Sequence, residues 1–284
     1  MNILSFDLEE WFHILDYPKT SSPQLWDKME SRIEKNTDRI LLLLEEKNLK
    51  ATWFCLGWIA KKYPSVIKKI SIIHDIACHS TNHQLLYQMK QDDVRTDILN
   101  NIHLLEDLCG KKIATYRAPG FSFTSETKWI IPILAEAGIM YDCSIFPLKR
   151  NHGGYDTFPV AEPCRICYDG IELKEFPMNK ASLLGKEFVF SGGGYFRLLP
   201  YKAISTLMKK SKYVMTYFHP RDFDPDQPLL NDLSLKRKFM SYVGLKNSYL
   251  KLNNLLNDYT FITVEDAANQ IDWKSTSLIN LDKY

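Results

Sequence analysis

Two short strings hold residue types that could do hydrolytic chemistry. In His79-Ser80-Thr81-Asn82-His83 the imidazoles stand four residues apart. At a strand-to-helix junction capped by Ser80 or Thr81, that spacing puts both rings on one face, where they could ligate one metal ion. Two partly exposed surface histidines would give the same string. In Phe6-Asp7-Leu8-Glu9-Glu10 an extended backbone projects Asp7 and Glu9 to one side and Leu8 to the other. One carboxylate can then ligate while the other acts as a base; a solvated acidic loop is the alternative. Two histidines, one carboxylate and an open water position form a hydrolytic centre, because the metal makes hydroxide available near neutral pH.

Other strings carry less. Cys164-Arg165-Ile166-Cys167 resembles a redox or zinc pair, but strand residues three apart face opposite sides and no second pair exists, so structural thiols are expected. Gly192-Gly193-Gly194 lacks the Lys-Ser/Thr tail of a phosphate loop and reads either as a rim loop near substrate or as a structural bend. His74 and His103 read as structural or solvated, and His13 as a residue that could line the site.

The elements that must position these residues alternate as βα units. Strands are expected at 3–7, 51–56, 75–79, 115–117, 139–144, 213–219 and 261–264. Helices are expected from Asn36 or Thr37 to Asn48, then over 58–70 despite Pro64, 92–109 ended by Gly110, 125–137 ended by Gly138, 201–210, 233–257 with a break at Gly244, and 265–271. Between about 145 and 200 the helical period disappears and an insertion is expected, with a β-hairpin turning at Asp169-Gly170. Asp7, His79, Arg117, Asp142 and His219 all fall at the carboxyl ends of expected strands, where a βα barrel carries its chemistry.

The 284 residues are read as one domain. With 45% hydrophobic and 25% charged residues the chain can bury a sizeable core, and a formal net charge of +2 gives no field to recruit nucleic acid. The apolar runs are too short for a membrane helix. Six scattered cysteines and a start that reads as a strand suggest reduced thiols in the cytoplasm.

Five blocks, Ser5-Phe6-Asp7-Leu8-Glu9, His79 to His83, Tyr116-Arg117-Ala118-Pro119-Gly120, Tyr141-Asp142-Cys143-Ser144 and Tyr217-Phe218-His219-Pro220, resemble in content and order those of the polysaccharide deacetylases, carbohydrate esterase family four. Ala51 to Gly57, Gly192 to Pro200 and His219 to Pro228 are similar to a bacterial subgroup associated with exopolysaccharide and surface glycans. The resemblance implies a distorted (β/α) barrel and a hydrolase that removes the N-acetyl group of an N-acetylated sugar, in a surface glycan or its precursor.

It further implies that Asp7 is the base, that Glu9, His79 and His83 hold zinc, with cobalt or nickel also compatible, and that Arg117 orients Asp7. His219 would protonate the leaving amine with Asp142 supporting it, and a backbone N–H near Gly120 would face the oxyanion. Phe121 and Tyr195 are the aromatics expected to touch sugar, among Trp11, Phe12, Phe121, Tyr195 and Phe196 near the site loops. The chain departs from the family at Asp7-Leu8-Glu9, where adjacent aspartates are usual, so Glu10 stays open as the third ligand. Cys143 and Arg221-Asp222 are further departures. Two rivals remain: a same-fold hydrolase of a small amide, and an inactive glycan-binding protein.

Overall fold

β2 (Ser5–Leu8) alternates polar and apolar residues and β3 (Thr52–Cys55) is apolar after its first residue, yet both are wholly buried, as central strands covered on both faces are. The structure, a computed structural model, describes residues 1–15, 17–20, 22–183, 185–230 and 232–283. With β4 (Asp75–Cys78), β5 (Thr115–Tyr116) and β6 (Tyr141–Asp142), β2 and β3 form consecutive parallel neighbours. Beyond β6 the sheet continues through β8 (Ile171–Glu175), β7 (Cys164–Tyr168) and β12 (Leu278–Asn280). On the far side β1 (Asn2–Ile3) pairs with β11 (Val214–Met215), and bridges from Phe6 to Phe218 and from Gly192 to Tyr217 carry the curl onward. A small antiparallel pair, β9 (Ala181–Leu183) with β10 (Lys186–Phe188), stands apart. The result is a mixed α/β fold in which a parallel sheet curls into a distorted barrel.

The hairpin at Asp169-Gly170 forms, with both turn residues at positive φ (49° and 75°) as a two-residue turn of this kind requires. It lies inside the main sheet instead of beside it. β6 pairs with β8 in parallel, so the expected insertion provides the strand that covers β6's open edge.

The helices follow their caps. They are α1 (Pro23–Trp26), α2 (Ile33–Glu46), α3 (Gly57–Lys62), α4 (Pro64–Ser71), α5 (Gln91–Cys109), α6 (Ile130–Glu136), α7 (Gly193–Leu198), α8 (Tyr201–Lys210), α9 (Leu235–Tyr242), α10 (Leu245–Asp258) and α11 (Val264–Gln270). α2 starts before Asn36 because the Glu10 carboxylate accepts the N–H groups of Arg32 (2.9 Å) and Ile33 (3.0 Å) at its first turn. Pro64 divides the expected 58–70 helix into α3 and α4. Gly110 ends α5 at φ 68°, and Gly244 separates α9 from α10 at φ 72°, where a Cβ would lie 2.1 Å from the Arg197 carbonyl oxygen. Among the described residues, no helix is long and apolar enough to cross a membrane.

Candidate active site

Because β2 to β5 run parallel, their carboxyl ends share one rim, and the residues just past them meet there. Asp7 is the penultimate residue of β2, and Glu9 follows after a tight bend in which the Glu9 N–H donates to the Asp7 carbonyl (2.9 Å). His79 follows β4, and its Nε2 lies 3.0 Å from Glu9 Oε1. His83 Nε2 is 3.0 Å from the same oxygen. Glu10 points away, holding Ser31 and α2, so the structure gathers Glu9 with the two histidines and leaves Glu10 outside.

The histidine pair reaches this arrangement without the expected helix. Residues 80–83 form a bend with Ser80 and His83 at positive φ (64° and 55°), and the next helix, α5, begins only at Gln91. α5 holds the bend from behind: Asn101 Nδ2 donates to the carbonyls of Cys55 (2.9 Å) and Ser80 (2.7 Å), and Asp97 Oδ2 accepts the Thr81 N–H (2.9 Å). Ser80 Oγ accepts the His83 N–H (3.0 Å), which fixes the second ring.

These residues fit a metal ion. His79 Nδ1 faces the Arg117 carbonyl at 2.7 Å, and a carbonyl only accepts, so Nδ1 carries the proton. In the neutral ring Nε2 then aims a lone pair at a carboxylate oxygen. His83 Nε2 is buried and, despite its distance from Glu9, makes no aligned hydrogen bond. A cation between the three donors removes both conflicts. Burial would push the Glu9 carboxyl up, but the charges of His83 and His219 and the closeness of both site imidazoles hold it well below the usual range.

Asp7 is fixed by Arg117, whose Nη1 donates to Oδ1 at 2.5 Å. The guanidinium is fully buried, with Nε on the Cys143 carbonyl (3.2 Å), Nη2 on Ser5 Oγ (3.1 Å), and its face over the Phe54 ring (3.9 Å). His219 approaches from the opposite side, Nε2 lying 3.8 Å from Asp7 Oδ2 and 3.8 Å from Glu9 Oε1.

The carboxylate behind His219 is Asp222, a correction to the expectation for Asp142. Asp222 Oδ2 stands 3.0 Å from His219 Nδ1 and also accepts the His219 N–H (3.0 Å). Burial opposes the charged imidazole, but Glu9, then Asp222 and Asp7, outweigh it and push His219 up to about 9. Asp222, despite its burial, is held near about 2 by His219, Arg197 and Arg221. Asp142 is instead in register with Glu175 on β8 and accepts from Ser144 Oγ (2.5 Å). Burial pushes both carboxyls up, Asp142 to about 6 and Glu175 well above its usual value. The pair lies behind Arg117 in the barrel wall.

The donors open into a cleft of roughly 700 Å³ whose walls include Gly120, Phe121, Phe146, Phe188, Tyr195 and Tyr217. Gly120 sits at φ 60°, where a Cβ would meet Leu15 at 2.7 Å and Leu85 at 2.9 Å. Of the five aromatics expected near the site, Phe121 and Tyr195 line the cleft. Trp11 and Phe12 pack beside Trp26, and Phe196 stacks on Phe218. His13 lines the cleft too, kept neutral by burial, its Nδ1 accepting the Glu10 N–H (3.2 Å). At Gly192 a Cβ would fall 2.4 Å from the Tyr217 carbonyl oxygen, so the triplet is a close backbone approach, while Gly193 and Gly194 reach the cleft. A comparable groove at the amino ends of β3 and β4 lies away from this chemistry.

Residues 18–141 match the family model for polysaccharide deacetylase, and residues 143–269 match a domain of unknown function, DUF3473. The chain is 34% identical over 95 residues to a peptidoglycan-N-acetylglucosamine deacetylase of Bacillus cereus, covering 33% of this chain and 34% of that protein. It is 28% identical over 113 residues to a peptidoglycan deacetylase of Helicobacter pylori, covering 39% and 38% respectively. It therefore spans little more than a third of the length of the curated relatives it matches. Across 98% of this chain and 92% of the other, the fold superimposes on a crystal structure described as a candidate polysaccharide deacetylase from Mycobacterium smegmatis, with a TM-score of 0.66 at 19% identity.

Proposed function

We propose that the chain, whose residues 18–141 match the polysaccharide deacetylase family model, hydrolyses the N-acetyl group of an N-acetylated sugar in a surface glycan or its precursor. The observation that carries this reading is the convergence of Glu9, His79 and His83 beside an acid-base pair, Asp7 and His219, on opposite sides of one open cleft. The aromatic walls suit the faces of sugar rings better than they suit a small amide. We read the chain as one catalytic unit, since Asp7 and Glu9 precede the matched deacetylase stretch and His219 follows it.

Glu9, His79 and His83 would hold a divalent cation, with zinc the expected ion and cobalt or nickel compatible, and it would supply Lewis acidity at the acetyl group and its attacking water. Asp7, locked by Arg117, takes the proton from that water. The backbone at Gly120 provides an N–H to the developing oxyanion. His219 gives its proton to the departing nitrogen, which makes the amine a competent leaving group. Asp222 keeps Nδ1 engaged so that Nε2 carries the proton toward the cleft. Tyr195 and the edge of Phe121 support the sugar. Thiols at Cys55, Cys78, Cys109, Cys143, Cys164 and Cys167 suit a reducing compartment, and a cytoplasmic setting is part of this proposal.

The test is acetate release from N-acetylated glycans by the metal-loaded protein. Asp7→Asn should keep its metal and lose turnover by roughly 10²- to 10⁴-fold, the range for a missing acid-base group. Wild-type activity at the level of Asp7→Asn would contradict the reading.

A further inference from the structure

We infer that the cleft also contains a subsite for an anionic group on the sugar substrate, a phosphate or a carboxylate, built on Arg150. This rests on the proposed sugar substrate and narrows its class.

Arg150 is carried by a tight loop anchored on the cleft's aromatic wall. The Leu148 and Tyr155 N–H groups both donate to the Phe146 carbonyl (2.8 Å each), Arg150 N–H to Gly153 O (3.1 Å), and Gly154 N–H to Phe121 O (2.9 Å). Side chains are excluded at both glycines: a Cβ on Gly153 would lie 2.1 Å from Phe121 O, and one on Gly154, at φ 91°, would lie 2.1 Å from Leu148 O. The loop thus presses its backbone against the wall and lays Arg150 across it. The guanidinium carbon stands 4.5 Å from the Phe146 ring centroid, 4.9 Å from Phe121 and 5.7 Å from Tyr217.

This cushion accepts the face of the cation but offers nothing to its edge donors. Nη1 is buried without a hydrogen-bond partner, and among the described residues no carboxylate pairs with Arg150. A buried guanidinium donor left unmet is costly, more so than a neutral one. An acceptor entering the cleft would complete it. The surrounding charge favours an anion: Lys149 and Arg221 line the same cleft, whereas its carboxylates have partners, Asp7 in Arg117, Glu9 in the two site histidines, Glu187 in Lys180 (3.2 Å) and Asp222 in His219 and Arg197.

The position relates the subsite to the reaction. Tyr217 separates Arg150 from His219, its ring centroid lying 6.4 Å from the His219 ring. A group on the reacting sugar or on its immediate neighbour can reach Arg150 while the acetamide lies at Asp7 and His219. The hydroxyls of a neutral glycan can accept single bonds from the guanidinium edge, whereas a phosphate or carboxylate matches both its paired donors and its charge.

The test measures binding, which does not depend on turnover. Inorganic pyrophosphate and glucuronate are titrated calorimetrically into the metal-loaded wild type and into Arg150→Met, which retains an apolar stem on the rings, and Arg150→Lys, which retains the charge. Arg150→Gln gives the same comparison if the methionine variant does not fold. At least one probe should bind tenfold or more weakly to the methionine or glutamine variant, with partial recovery in lysine; the probe that loses affinity identifies phosphate or carboxylate as the source. Equal affinities for both probes in wild type and uncharged variants would overturn the subsite. Failure to release acetate from any sugar would overturn the deacetylase reading instead, and leave the binding comparison intact.

Discussion

The two matched stretches build opposite sides of one site and do so by different means. Residues 18–141 contribute His79 and Arg117 just past strand ends and His83 in the bend that follows β4, each held by backbone or buried side-chain partners. Residues 143–269 contribute His219 and Asp222 on a 3-10 turn (Pro220–Phe223), and cleft walls such as Arg150 and the half-exposed Tyr195. The first side has little freedom: moving either imidazole would unmake bonds that reach into the barrel. The second faces substrate through loops, whose geometry can change with little cost to the sheet. On the proposed reading, metal chemistry is tied to the fold and substrate choice to the loops.

The largest break in this comparison should come from the locked side. His83→Ala removes one of three donors, so elemental analysis should find the metal lost and acetate release at background. Full metal occupancy in that variant would remove the ligand assignment.

On the loop side the effect should be a shift in pH as well as a loss of rate. His219 must be protonated to serve the leaving amine, and its carboxylate neighbours hold that proton up to about 9 in the metal-free protein. Activity should therefore fall on the alkaline side. Asp222→Asn removes a favourable charge, lowers the His219 value and moves that limb to lower pH, with a loss of roughly tenfold at neutral pH. A cation on Glu9 screens another favourable charge, so the NMR titration of His219 should also move down on adding zinc. A limb unmoved by Asp222→Asn would argue that another group is the acid.

The smallest effect belongs to Glu10, next to a ligand yet outside the site. Glu10→Ala leaves the first-turn N–H groups of α2 unmet and should cost about 1–2 kcal/mol of stability in denaturant unfolding, with metal content unchanged. Metal loss in Glu10→Ala would instead give it the role assigned to Glu9.

Much of the locked side was legible in the sequence. Strand ends are local patterns that the backbone converts directly into positions, whereas His83 and Glu9 reach the site through bends that the spacing alone does not specify. Glu10 was ambiguous because its partners, Ser31 to Ile33, lie a helix start away in space with no periodic signature. The expected helix at 80–83 fails because Asn101 and Asp97, far along the chain, hold the bend in positive φ. Asp142 was placed beside His219 by family order, yet the register of β6 with β8 turns it toward Glu175, a pairing invisible until the hairpin joins the sheet. Asp222 did have a local signal: a carboxylate three residues after His219, across Pro220, can turn back onto both the ring and the backbone N–H.

The central claim is that Glu9, His79 and His83 hold the ion beside Asp7 and His219. Anomalous X-ray diffraction from zinc-loaded crystals tests it most directly. The account predicts one strong peak at about 2.0–2.2 Å from Glu9 Oε1 and from each histidine Nε2, with Asp7 still on Arg117. A peak elsewhere, or one ligated by Glu10 with Glu9 turned away, would contradict it.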